Sequence, residues 1–236
     1  MTDSPAAAAQ ATRPAQASAA RMYVTVVGVG VVCSVAIVSV FESTKPVIRR
    51  NTIEFREKAI LDVLPGARSS AAFRLNEAGA FEPTSPEDAD SDLIFAGYDE
   101  DHNLVGLALE TEGMGYQDVV RVLYGYSFEK QAIVGIRVLQ SRETPGLGDR
   151  IETDPDFLRN FEALDVSVDP GRGELAHPIE FVKPDKKDAP WQIDGISGAT
   201  ITSRATAGML RDSSQKWIPR VYPRRADFQF QSQKES

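Results

Sequence analysis

The chain is poor in the residues that build disulfides, metal sites and nucleic-acid surfaces. Its one cysteine, Cys33, cannot form an internal disulfide or a CxxC pair, and its two histidines, His102 and His177, argue against a multi-histidine metal site. The 26 Lys and Arg residues are outnumbered by 34 Asp and Glu, which leaves a formal charge of -8. Because binding to a duplex needs cations that face its phosphates, nucleic acid is not expected as a partner.

The rest of the composition is that of an ordinary globular protein. Of the 236 residues, 42% are hydrophobic and 25% are charged, which excludes collagen, a coiled coil and outright disorder. This length accommodates one good-sized domain with appendages, and such a domain can bury a core without disulfides. Two small domains are also compatible with it.

One long apolar run lies near the start of the chain. Residues 22–41 (MYVTVVGVGVVCSVAIVSVF) carry no charge. As a helix that rises about 1.5 Å per residue they would span about 30 Å, the thickness of the hydrocarbon core of a bilayer. The run therefore predicts one transmembrane helix, in which Cys33 is a small apolar filler. A buried core helix and a cleaved signal peptide are the alternatives, but their apolar stretches are usually shorter.

The charges that flank this run do not decide its orientation. Arg13 and Arg21 precede the run, whereas Lys45, Arg49 and Arg50 follow it. The positive-inside rule therefore does not favour an exported C-terminal domain. The rule has little weight for this chain, because large domains translocate largely regardless of charge.

Composition and periodicity divide the rest of the chain. Residues 1–21 are rich in Ala, Gln, Ser and Pro and are expected to be a disordered tail. Residues 42–66 are expected to form an amphipathic stalk helix that ends at a Pro-Gly pair. Its apolar positions recur at helical spacing: Ile53, Ile60, Leu61 and Leu64. One domain over 67–220 and a basic C-terminal tail over 221–236 complete the predicted organisation.

The domain is predicted to be α+β, with a mostly antiparallel sheet and flanking helices. Three β-rich runs of strand length, 103–111, 119–126 and 132–140, predict a meandering sheet. Residues 155–164 predict a short helix, and a longer one is expected from Ala199 onward. Its buried face would consist of Ile201, Ala205, Met209 and Ile218. The stretch 83–92, rich in Pro, Ser and acids, is expected to be a solvated loop. An acidic surface is favoured there over a cation site, because no EF-hand spacing is present.

The segment 194–203 (DGISGATITS) is the main candidate for a binding site. Gly195 and Gly198 allow a tight turn that can approach a ligand closely. The free amides at the start of the following helix favour an anion such as phosphate, and Thr200 and Thr202 would place hydroxyls beside it. On these residues alone, a helix cap is the commoner explanation of such a turn.

This segment is similar to the D-x-x-S-G-A-T flavinylation motif of the RnfG/NqrC family of FMN-binding domains. The members of that family are subunits of Rnf electron-transport complexes and of sodium-pumping NADH:quinone reductases. Residues 143–148 (ETPGLG) resemble a second loop of the family, and 113–117 (GMGYQ) resemble, less closely, its Gly-Tyr-Gly segment. The apolar helix, the stalk and the turn at 61–66 (LDVLPG) also fit, so the resemblance covers about residues 22 to 217.

The resemblance implies a membrane-anchored electron-transfer protein that holds FMN through a phosphate ester. In that family a flavin transferase uses FAD to esterify FMN onto the last threonine of the motif, which is Thr200 here. Asp194 is implied to assist the transferase rather than to touch the flavin. The other implied cofactor-binding residues are Ser197, Gly198, Ala199 and Thr202 in the motif and Glu143, Thr144, Gly146 and Leu147 in the loop.

The resemblance also implies partners and a location. No catalytic residue is implied, since the flavin carries the redox chemistry, so the chain is expected to be a redox subunit rather than a standalone enzyme. The expected partners are the other subunits of a membrane complex, the flavin transferase during maturation and the lipid bilayer. Flavinylation in the family takes place on the outer face, which puts the C-terminal domain on the periplasmic side of the inner membrane.

Other functions agree less well with the sequence. The NqrC component of the quinone reductase remains an alternative, although the short chain and the residues of the motif favour the Rnf type. A cofactor-free, membrane-tethered adaptor would dock partners through residues 76–120, which contain twelve acids and no Lys or Arg. A freestanding flavin reductase is disfavoured, because this sequence has no G-x-G-x-x-G nicotinamide fingerprint at a strand-to-helix junction. A serine hydrolase with Ser197 as its nucleophile is excluded by the spacing, because Gly198 follows the serine directly, whereas G-x-S-x-G requires one residue between them.

Overall fold

The structure, a computed structural model, describes residues 19–85 and 93–230. The chain divides into two units, Met1–Arg50 and Asn51–Ser236. Helix α1 (Ala19–Val63) is one helix, where the sequence predicts a transmembrane helix and a separate stalk. Every residue from 19 to 50 is exposed, including the apolar side chains of the predicted span. By length and composition, α1 can cross a membrane, which fits a single-pass membrane protein.

The second unit is built on an antiparallel sheet. Its strands are β1 (Ser69–Leu75), β2 (Phe81–Thr84), β3 (Ile94–Tyr98), β4 (Leu104–Met114), β5 (Val119–Ser127), β6 (Ala132–Gln140) and β7 (Leu164–Asp165). The seven strands are ordered β2-β1-β3-β4-β5-β6-β7, and each neighbouring pair is antiparallel. The three predicted strands correspond to β4, β5 and β6, which confirms the meandering sheet.

Shorter elements connect the sheet to a long C-terminal helix. They are a 3-10 helix (Gly148–Glu152), α2 (Pro155–Arg159), β8 (Val168–Asp169), β9 (Glu174–Leu175), β10 (Glu180–Val182), β11 (Gln192–Asp194), α3 (Thr200–Val221) and a second 3-10 helix (Tyr222–Phe228). The predicted helix over 155–164 is thus shorter than expected: Asp154 caps α2 at its start, and the helix ends at Arg159. The helix predicted from Ala199 onward is confirmed as α3.

The sheet is covered on both faces by helices. Met209, Leu210 and Ile218 of α3 are buried in the larger core, which includes Val122 and Tyr124 of β5. Leu123, the residue between those two, points to the opposite face because side chains alternate along a strand. There it joins a second core with the end of α1, formed by Ala59, Ile60, Val63 and Leu64. Leu61 is exposed, contrary to the predicted apolar face of the stalk, since it lies on the side of α1 away from the sheet.

A row of glycines makes room for the end of α1 on the sheet. Gly97 of β3 pairs with Gly106 of β4, and Gly125 of β5 pairs with Gly135 of β6. A Cβ atom built on any of the four would approach Val63, Leu64 or Ala67 within 3.1 Å. The helix end can therefore pack directly on the strand backbone only because these positions lack side chains.

Two predicted solvated segments differ from expectation. Pro83 and Thr84 belong to β2, while residues 86–92 of the predicted acidic loop lie outside the described residues. The predicted C-terminal tail is wrong for its first part, because Phe228 is fully buried and its carbonyl accepts a hydrogen bond from Tyr98 Oη at 2.9 Å. The ring of Phe228 packs against that of Phe73, with 5.1 Å between the ring centroids. The last six residues, and residues 1–18 of the predicted N-terminal tail, lie outside the described part.

Candidate functional site

The turn between β11 and α3 contains the D-G-I-S-G-A-T segment. Gly198 has φ of +86°, a left-handed conformation that favours glycine, and Ala199 is the residue immediately before the helix. Ser203, which is buried one turn into α3, locks this geometry. Its hydroxyl accepts a hydrogen bond from the Ile196 N–H at 3.2 Å and donates to the Ala199 carbonyl at 2.8 Å. Thr200 is thereby placed as the first residue of the helix, where the backbone amides are free of helical partners.

The two threonines of the motif have opposite environments. Thr200 is half-buried, and among the described residues its hydroxyl makes no hydrogen bond. Thr202 is only 1% exposed and donates a hydrogen bond to Glu143 Oε2 at 2.7 Å. Of the two hydroxyls expected beside an anion, that of Thr202 faces into the protein, so only that of Thr200 remains a candidate for this position.

Glu143 is the residue on which the separate parts of the site converge. Besides the Thr202 hydroxyl, its carboxylate accepts hydrogen bonds from the backbone N–H groups of Gln117 at 2.9 Å and of Tyr116 and Asp118 at 3.3 Å. Burial tends to raise the pKa of Glu143, but the hydrogen bonds from Thr202 and from the backbone outweigh it and lower the pKa below its usual value. The site thus holds an ionised, hydrogen-bonded carboxylate in its interior.

The loop that contains Glu143, residues 143–148, is also hydrogen-bonded to Gln117 through a second side chain. Thr144 Oγ1 donates to Gln117 Oε1 at 2.8 Å, and the Leu147 N–H donates to the Thr144 carbonyl at 3.1 Å. Gly146 has φ of +77° and allows the loop to reverse. The structure therefore brings residues 143–148, 115–118 and the start of α3 together.

Large apolar side chains project from these three segments into solvent. Tyr116 is 67% exposed, and Leu147 and Ile201 are each 51% exposed. The prediction that Ile201 lies on the buried face of α3 is wrong, because Ile201 lies on the side of the helix opposite to the buried Leu210, while Thr202 and Ser203 beside it face the protein interior. Exposed apolar groups on converging segments offer a surface for a flat aromatic ligand.

Two residues that were not predicted from the sequence, Arg150 and Asn160, hold the turn between β11 and α3 by hydrogen bonds to its backbone. Arg150 Nη1 donates to the Ser197 carbonyl at 2.7 Å, and its Nη2 contacts Asp154 Oδ2 at 2.5 Å. The buried Asn160 accepts from the Asp194 N–H at 3.0 Å and donates to the Asp194 carbonyl at 3.1 Å. Nothing in the spacing of the sequence links Asn160 to the motif, whereas Arg150 could have been noticed two positions after the ETPGLG loop.

A polar cavity of about 430 Å³ lies beside this turn. Its lining includes Arg150, Asn160, Lys187, Asp194 and Ser197. Both carboxylate oxygens of Asp194 accept backbone hydrogen bonds, from Asp185 at 3.0 Å and Lys186 at 3.2 Å, so this side chain stabilises the neighbouring loop. Within residues 19–85 and 93–230, no group of three or more His, Cys, Asp or Glu side chains is placed to hold a metal ion.

Known proteins resemble this chain in sequence. The FMN-binding domain family matches residues 115–215, which include both the Glu143 loop and the turn before α3. The G subunit of the ion-translocating oxidoreductase complex of Methanosarcina acetivorans is 28% identical over 198 residues, which cover 82% of this chain and 91% of that relative. The corresponding protein of Erwinia tasmaniensis is 32% identical over 171 residues, which cover 71% of this chain and 75% of that relative.

Two solved structures share the fold. The C subunit of the Na+-translocating NADH-quinone reductase of Parabacteroides distasonis has a TM-score of 0.58 and 22% identity, and the match covers 73% of this chain and 94% of that protein. NqrC of Shewanella oneidensis has a TM-score of 0.53 and 18% identity, with coverages of 69% and 91%. At these identities the likeness speaks for the fold alone, and it confirms the α+β class with a mostly antiparallel sheet.

Proposed function

The chain belongs to the family of G subunits of ion-translocating oxidoreductase complexes, and on that premise we propose that it holds FMN covalently on Thr200 as an electron carrier. The observation that carries the proposal is the contrast between two neighbouring hydroxyls. Thr202 is buried and engaged, whereas the half-buried hydroxyl of Thr200 makes no hydrogen bond among the described residues. Of the two threonine hydroxyls in the motif, that of Thr200 is thus the one that remains available for modification.

The attachment is a phosphoryl transfer from FAD. The Thr200 oxygen forms a bond to the phosphorus of the FMN half, and the bond from that phosphorus to the bridging oxygen breaks. AMP leaves, and the hydroxyl proton is released to a base of the flavin transferase. The product is a phosphodiester with one negative charge at the N-terminus of α3, where the helix dipole and the free amides stabilise an anion.

The residues around Thr200 fit the rest of the cofactor. Gly198 and Ala199 shape the turn, and Ser197 is held in place through Arg150. Leu147 and Tyr116 offer exposed apolar surface to the isoalloxazine ring, next to Thr144 and Gly146 of the same loop. Asp194 supports the adjacent loop and serves the transferase rather than the ring. Bound FMN supplies reversible electron transfer, and the chain supplies binding, orientation and electrostatics.

The complex proposed is of the Rnf type, which couples electron transfer between ferredoxin and NAD to ion translocation. In it the chain is a redox subunit with other subunits as partners, anchored by the apolar part of α1 in the inner membrane. The domain from residue 51 onward lies on the periplasmic side. A covalent link is useful there, since a cofactor lost from the protein would not be replaced. A reporter fused after Ser236 that is active only in the cytoplasm would contradict this orientation.

The attachment is tested by substitution at Thr200. The full chain is produced together with a flavin transferase, denatured, and inspected for in-gel flavin fluorescence and intact mass. We expect the native chain to gain the mass of FMN less one water, Thr200→Ala to gain none, and Thr200→Ser to retain the flavin because it keeps the hydroxyl. Fluorescence that persists on Thr200→Ala in the denaturing gel would refute the assignment.

The alternative functions are separated by colour and by electron donor. A cofactor-free adaptor would be colourless, whereas the proposed protein is yellow and stays yellow after acid precipitation. Reduction of the purified complex by reduced ferredoxin supports the Rnf assignment, and reduction by NADH with quinone as acceptor would assign it to the sodium-pumping quinone reductase.

A further inference from the structure

The carboxylate of Glu143 is closed off from any ligand. Each oxygen is occupied: Oε2 accepts from the Thr202 hydroxyl and the Tyr116 N–H, and Oε1 accepts from the N–H groups of Gln117 and Asp118. The residue as a whole is only 7% exposed. A buried carboxylate with four donors is a structural centre and has no lone pair left for a cofactor.

Two glycines enclose this carboxylate. A Cβ atom on Gly115 would lie 2.5 Å from Glu143 Oε1, and one on Gly148 would collide with Oε2. The glycines of the GMGYQ and ETPGLG segments therefore leave the space that the carboxylate fills. Both motifs, which in sequence look like ligand-binding turns, are shaped at these positions around an internal side chain.

The Thr202 hydroxyl bonds to a residue outside its own helix. A threonine inside a helix commonly bonds to a carbonyl of its own preceding turn, as Thr206 does by donating to the Thr202 carbonyl at 2.9 Å. Thr202 instead donates across 59 positions of sequence to Glu143. This bond joins the first turn of α3 to the loop 143–148 and, through the same carboxylate, to residues 116–118.

We propose that Glu143 and Thr202 are a positioning pair that sets the first turn of α3 so that Thr200 is presented for flavin attachment. This inference rests on the proposed function. Neither residue touches the flavin: Glu143 acts through Thr202, and Thr202 acts through the helix turn that it shares with Thr200. The pair also explains why the motif contains two threonines with separate tasks, one to be modified and one to orient it.

The test is the initial rate of flavin attachment to the full chain, with limiting purified flavin transferase and FAD, followed by in-gel fluorescence. We expect Thr202→Val and Glu143→Gln each to slow attachment at least about tenfold, because each breaks a buried, charge-assisted hydrogen bond. Thr202→Ser, which keeps the hydroxyl, should stay within about twofold of the native rate. Because the two residues share one interaction, the double variant should be no slower than the slower single variant.

Thr206→Val is the matched control. It removes a buried hydroxyl from the same helix one turn further on, but that hydroxyl bonds only within α3. Its attachment rate should remain native, and thermal unfolding of each variant should show that it is folded at the assay temperature. If Glu143→Gln does not fold, Thr202→Val and Thr202→Ser carry the test alone.

The outcomes separate the two proposals. A native chain that gains no flavin refutes the proposed function itself. A native chain that loads, together with a Thr202→Val variant that loads equally fast, overturns the positioning pair and leaves the proposed function standing. Equal losses in Thr202→Ser and Thr202→Val, or losses that multiply in the double variant, also overturn it.

Discussion

Replacement of Gly125 by alanine should lift the end of α1 off the sheet. Gly125 lies in the middle of β5, beneath the last turn of that helix. The added Cβ atom would collide with the Val63 carbonyl oxygen, and would lie 2.8 Å from its carbonyl carbon and 3.0 Å from Leu64 Cδ2. The Leu64 methyl group can rotate away, but the two Val63 atoms belong to the helix backbone and cannot.

The cost can be estimated from this contact. The helix end must move as a unit, because Ile60, Val63 and Leu64 are all buried in the same core. Overpacking of a core typically costs about 1–3 kcal/mol, and a backbone collision belongs at the upper end, at about 3 kcal/mol. For a domain of this size, that corresponds to a fall in Tm of about 6–12 °C.

Thermal unfolding of the full chain in detergent, followed by far-UV circular dichroism, measures this fall. Gly208→Ala is the control, since a Cβ atom on Gly208 meets nothing within 4 Å and the residue lies inside α3. Alanine is the better helix former by about 1 kcal/mol, so this variant should be slightly more stable than the native chain. A Gly125→Ala protein that unfolds within about 2 °C of the native one would show that the glycine row does not seat the helix.

Two further perturbations address the C-terminal segment and acid stability. Phe228→Ala should cost about 3–5 kcal/mol in urea unfolding, because its ring is fully buried beside Phe73 and Phe81; a loss below about 1 kcal/mol would mean that this segment is not part of the core. The lowered pKa of Glu143 gives stability that is present above the unfolded carboxyl pKa of about 4.3 and is lost as pH falls through the folded pKa. The difference in unfolding free energy between the native chain and Glu143→Gln should therefore be largest at neutral pH and shrink in acid. A difference that does not change with pH would contradict a lowered Glu143 pKa in the folded protein.

The elements with strong patterns are predictable from the sequence, and the weakly patterned ones are not. The strands β4, β5 and β6 are β-rich and long enough to stand out. In contrast, β1 is Ala- and Ser-rich and β3 (IFAGY) is short and fully buried, so neither shows the alternation that marks a half-exposed strand. The periodicity of α3 predicts its buried face correctly at Met209 and Ile218, but not at Ile201, which lies on the solvent-facing side of the helix although Thr202 and Ser203 beside it are buried.

The sequence by itself determined the apolar span in α1, the α+β class and the two motifs that point to FMN, because each depends on residues that are close together in the chain. It also singled out Thr200 and the loop that contains Glu143. Only the tertiary structure decided which hydroxyl is available, since the burial of Thr202 depends on a carboxylate 59 positions away. The same holds for Arg150 and Asn160, because contacts across folded elements depend on how the sheet brings its loops together.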